Sequence, residues 1–178
     1  MESQENSGEF IEIEARTTFY LTLIKVLKTL KGLNCTIKEV IAVRNAANQL
    51  IDDIKACGGE VSTKVQNLIN ACIAVVETSE AILGINQSVC GNGDESDIQS
   101  RTWHVVSGAQ NAHKCFVQIF DNVRKLNSQV KTVVKMIGQI KKVPGDTSQC
   151  VLDSIDALTT KFTDFPTNVK ACSKLTSN

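Results

Sequence analysis

Apolar residues recur every three to four positions along almost the whole chain, a rhythm that admits helices and little else. Strand-like alternation occurs only at Phe10-Ile11-Glu12-Ile13-Glu14, which is too short to define a strand. The spacing predicts a first helix over 10–31, with Phe19, Leu23, Val26, Leu27 and Leu30 on one face and Gly32 ending it. A second helix opens at Thr36-Ile37-Lys38-Glu39, where hydroxyl and carboxylate fit a capping box, each satisfying an otherwise unpaired backbone N–H. Its stripe runs through Val40, Val43, Ala47, Leu50, Ile54 and Cys57 and stops at Gly58-Gly59. A third begins near Ser62 and is closed by Gly84. Residues 84–96 form the longest break, with Asn92-Gly93 suited to a tight turn. A fourth starts at Ser96 with Gln99 as its box partner, and Ser107-Gly108 is placed to bend it. Its stripe continues through Ile140 to Pro144-Gly145, so this helix either runs on or turns near Asn127. A last helix spans about 147–163, with Val151, Ile155, Leu158 and Phe162 inward and Pro166 beyond it.

A chain of 178 residues suits one domain. The polar residues 1–9 read as a disordered N-terminal segment and 10–178 as a single helical domain. Sliding the chain on itself by 93 residues sets Val26 to Asn34 on Ile119 to Asn127, then Ile37 on Val130. After a gap of about two helical turns, Gly59 meets Gly145 and Ile69 meets Ile155. The pseudo-repeats cover about 10–90 and 97–172. Since the first helix is expected to turn into the second at Leu33-Asn34, the repeat places a matching turn at Leu126-Asn127. The fold class expected is all-α: a disulfide-linked bundle of five to six helices, with two duplicated three-helix units as the simplest reading of the repeat.

Seven cysteines (Cys35, Cys57, Cys72, Cys90, Cys115, Cys150, Cys172) are scattered and never form a CxxC pair, so zinc-site spacing is missing. Scattered cysteines fit a disulfide framework in an oxidising compartment. Two sequons, at Asn34 and Asn86, point the same way. No signal peptide is visible, and the chain is read as a mature secreted form with an added initiator methionine. If the third helix ends at Gly84, six extended residues can carry Cys90 back to Cys72; Pro166 allows Cys172 the same return to Cys150. The expected bridges are therefore Cys72–Cys90 and Cys150–Cys172, with Cys115 joined to Cys35 or Cys57. That leaves one thiol spare, either buried or available for a disulfide-linked dimer.

Little in the sequence reads as reaction chemistry. The two histidines, His104 and His113, lack the spacing and glutamate of a zinc protease motif, and Cys115 does not face His113 on a helix. Asn92, Asp94 and Ser96 imitate a calcium loop, but Asp97 stands where its glycine belongs. The paired carboxylates Asp52-Asp53 and Glu12/Glu14 are explained by solvated faces. No catalytic set, metal site or cofactor is expected. Net charge is zero, with 19 basic and 19 acidic residues, which argues against a nucleic-acid partner. No run of about 18 consecutive apolar residues occurs, so no transmembrane segment is expected. One charged feature is less bland: Arg124, Lys125, Lys131, Lys135, Lys141 and Lys142 have no acid between Asp121 and Asp146. Such a run is usually a solvated face, but it is also a candidate contact for anionic lipid or sulfated sugar.

Scattered cysteines, helical periodicity and the Cys172-Ser173-Lys174-Leu175-Thr176-Ser177 ending resemble secreted insect proteins of helical, cysteine-containing type. No family motif accompanies that resemblance, and it implies no site residues. Aromatics are only 4% of the chain, so helices held by disulfides would present aliphatic walls that suit a chain-like apolar ligand. The leading expectation is a secreted, non-enzymatic carrier of a small hydrophobic molecule such as a fatty acid or sterol. The alternative is a secreted interaction or structural protein, host-directed, immune or matrix, that meets a protein partner through its surface.

Overall fold

A computed structural model describes residues 16–92 and 109–175. All regular structure among them is helical: α1 (residues 16–27), α2 (Leu30–Ala56), α3 (Thr63–Ser88), α4 (Ala109–Lys142), α5 (Gln149–Thr163) and α6 (Phe165–Ala171). Short 3-10 turns follow at Pro144–Asp146 and Cys172–Leu175. The protein is an all-α, disulfide-linked bundle. α2 packs on α3, α3 on α4, α4 on α5 and α5 back on α2, closing a ring of four helices around an aliphatic core. α1 adds Phe19, Leu23, Val26 and Leu27 to that core and rests Tyr20 edge-on against Phe120 of α4.

Helix starts follow hydroxyl caps, though not always the expected ones. Ser62 accepts the Val65 N–H and Ser148 the Val151 N–H, both at 3.3 Å, opening α3 and α5. These serines stand at the offset that sets Gly59 on Gly145. α2 begins earlier than the spacing predicts: extended Thr29 caps it by accepting the Gly32 N–H at 3.0 Å. Gly32 therefore lies in the first turn of α2 instead of ending α1. Thr36 is no cap; it is buried inside α2 and donates its hydroxyl to the Gly32 carbonyl.

Two expected stops are also absent. α3 passes through Gly84 and ends at Ser88, and Gly91 three residues on takes a φ of +72° that favours glycine. Pro166 does not terminate the helical path, because it occupies the first turn of α6, where no intrahelical N–H is needed. The turn expected at Leu126-Asn127 does not form. Val123, Leu126, Val130 and Val133 make one unbroken buried stripe, and α4 runs through it for 34 residues. The Phe10–Glu14 alternation, the Ser96–Gln99 box, the Ser107-Gly108 bend and His104 lie outside the described residues.

α3 is the apolar spine of the bundle. It is long and apolar enough to cross a membrane, with a mean hydropathy of 1.6 over its most apolar stretch, even though no long consecutive apolar run occurs. Packing of α2 and α4 on its two sides accounts for that composition, since a helix flanked twice needs apolar residues over most of its surface.

The sulfur pairing corrects the expected one. The bridges are Cys35–Cys172, Cys57–Cys150 and Cys90–Cys115, and Cys72 is the free thiol. Neither expected hairpin return occurs, for the reasons just given. α3 carries on to Ser88, about 24 Å along the helix from Cys72, and so carries Cys90 away from that sulfur. α5 and α6 follow one another with no reversal into a tail, so Cys150 and Cys172 sit far apart and meet opposite ends of α2 instead. Cys115 takes Cys90, and both Cys35 and Cys57 are used.

Candidate functional site

Where α1 gives way to α2, the end of α3 and the first part of α4 come together and leave a cleft of about 360 Å³. Leu27, Leu30 and Leu33 form one wall, Phe116 and Ile119 the other. The Cys90–Cys115 bridge belongs to the lining and ties the end of α3 to α4. Leu27, Leu33 and Ile119 are buried, whereas Leu30 keeps 47% of its surface exposed. Lys28 and His113 stand at the exposed rim.

One polar side chain interrupts this wall from a buried position. Asn92 is 6% exposed and is held at two points: its backbone N–H donates to the Asn86 carbonyl at 3.0 Å, and its side-chain Nδ2 donates to Asn86 Oδ1 at 2.7 Å. Among the described residues, its Oδ1 and the neighbouring Asn86 Nδ2 are both buried without a hydrogen-bond partner. The turn composition of Asn92-Gly93 marked this residue in the sequence, but nothing local told that it would line a cleft.

The sequons meet a packed interior. Asn86 is fully buried at the end of α3 and engaged with Asn92, a position at odds with the glycosylation expected there. Asn34 is half-buried on α2, and its side-chain oxygen is enclosed.

The basic run divides. On α4, at about 100° per residue, Arg124, Lys131, Lys135 and Lys142 fall within roughly 40° of one another, away from the buried stripe. Lys125 and Lys141 fall off that line, and Lys141 pairs with Asp156 at 2.5 Å. Arg124 is half-buried, its guanidinium 4.3 Å from the centre of the Tyr20 ring and 5.3 Å from that of Phe120. It serves packing between α1 and α4 as much as surface charge.

The free thiol is a core residue. Cys72 is fully buried on α3, and burial pushes its thiol up to about 12. A covalent dimer through this sulfur would require opening the core. Among the described residues, no group of three or more His, Cys, Asp or Glu side chains is placed to hold a metal ion. Comparison with protein-family models, with curated proteins and with solved structures returns no match.

Proposed function

We propose that this chain is a secreted, non-enzymatic binding protein that holds one small apolar molecule in the cleft between the α1–α2 junction and α4. The observation that carries this reading is the cleft itself: about 360 Å³ with an aliphatic and aromatic lining and one buried polar group. Ligand sites have this size and this mixture of apolar wall and sparse polar anchor. The disulfides suit an oxidising extracellular compartment, and the bridge in the cleft wall would preserve its shape without ligand.

Native mass spectrometry of protein from an oxidising secretory host should reveal a co-purified apolar molecule. The dye N-phenyl-1-naphthylamine should brighten on binding, and Ala112→Trp, which fills the cleft from an exposed lining position, should weaken that binding at least tenfold. Absence of both ligand and dye response would end the carrier reading.

A second reading has its own support in the aligned residues Lys131, Lys135 and Lys142. It assigns this side of α4 to contact with a polyanionic surface. Binding to anionic vesicles that collapses as salt rises would favour it, and salt-independent behaviour would remove it.

A further inference from the structure

We infer that the cleft selects a single-chain amphiphile with an anionic head group, a fatty carboxylate, whose head is held by Lys28 and His113 at the rim. This rests on the carrier reading of the same cleft and adds the charge of the ligand's polar end. Lys28 and His113 both line the space and both are exposed, one just past the end of α1 and the other in the first turns of α4. No aspartate or glutamate is found among the described residues that line the cleft. α2 begins in the same wall at Leu30, so the positive end of its dipole adds to the same sign. The chain as a whole gives no preference for anions, because its 19 basic and 19 acidic residues cancel. The bias is local to this rim. Behind it the lining turns apolar, with Leu27, Leu33 and Ile119 buried, and an alkyl chain set against them leaves water. A carboxylate offers only acceptors, and it meets the Lys28 ammonium and a ring N–H of His113, which an imidazole keeps in either protonation state. A cationic head would be repelled there, and a neutral one would forgo the charge-assisted hydrogen bonds.

Decanoate and decylammonium share a chain and differ in the sign of the head, so their comparison isolates this charge. Displacement of N-phenyl-1-naphthylamine from the full, oxidised chain at pH 7 and low ionic strength should give a Kd about tenfold lower for decanoate. Added salt should narrow that gap. Lys28→Glu should bring the two compounds within about twofold or invert their order. Lys25→Glu, the same charge change at an exposed α1 position outside the cleft lining, should leave decanoate ahead by about tenfold. The comparison on the unaltered chain needs no variant and decides the sign of the head even if a variant fails to fold. Equal binding of the two compounds, or tighter binding of decylammonium, would overturn the anionic assignment and leave the apolar cleft standing. A preference untouched by Lys28→Glu, or lost equally with Lys25→Glu, would overturn its placement at this rim. Failure of the chain to bind dye, decanoate or decylammonium would overturn both readings.

Discussion

At the scale of single residues, Cys72 and Asn86 show how far context outweighs residue type. A thiol in an oxidised protein is ordinarily a candidate for exchange, but Cys72 is enclosed by apolar neighbours and its thiolate is strongly disfavoured. Ellman's reagent should therefore find no reactive thiol in the native protein at pH 8 and one after unfolding; a rapid native reaction would show that the core opens at α3. The same burial fixes a pH dependence. Once unfolded, the thiol loses its proton from about its ordinary value of 9.0, whereas the folded protein retains it until about 12. The unfolded state then binds fewer protons, so stability falls as pH rises through that window. Urea titrations at pH 8 and pH 10 should show a larger loss for the parent chain than for Cys72→Val. Asn86 belongs to a sequon yet is sealed at the end of α3, and peptide mapping after expression in a glycosylating host should find it unmodified.

At the scale of elements, helix starts are set by local chemistry and helix ends largely by packing. Ser62 was legible as a start, and the last helix was placed to within two residues of its Ser148 cap, because a hydroxyl three residues before an N–H meets it in any helix that begins there. Replacing either with alanine should cost about 1 kcal/mol in chemical denaturation. The Thr29 cap was missed because Leu30 and Gly32 read as the tail of α1, while Thr36 and Glu39 offered a better-looking start. Gly84 and the Leu126-Asn127 pair were misread for one shared reason. Each carries a local turn signal, but the flanking buried stripes, Ile82-Leu83 and Leu126-Val130, reward an unbroken helix. The cleft lay beyond the reach of helix-by-helix reading, because three segments far apart in sequence each contribute only part of its wall.

At the scale of the whole molecule, the three bridges act on different spans of chain. Cys35–Cys172 closes a separation of 137 residues and Cys57–Cys150 one of 93, against 25 for Cys90–Cys115. Loop-closure entropy ranks them in that order, at about 5 kcal/mol for the first and about 3.5 kcal/mol for the last. Double replacement of Cys35 and Cys172 by alanine should therefore lower stability to urea more than the same change at Cys90 and Cys115. The opposite order would mean that the last bridge does more than restrict the unfolded chain. Loss of Cys90–Cys115 should instead be felt locally, as weaker dye binding in the cleft whose wall it forms.

Taken alone, the order of residues determined the all-helical class, the position of most helices, the start near Ser62 and the presence of a disulfide framework, because each depends on residue types and their spacing along the chain. Only the tertiary structure decided which sulfurs join, which cysteine stays reduced, that Asn86 is sealed and that Asn92 comes to line a cleft with residues from α1, α2 and α4. Those outcomes depend on which helix ends meet in space. Periodicity says which face of a helix is buried, but the partner of that face is chosen by the packing of the whole bundle.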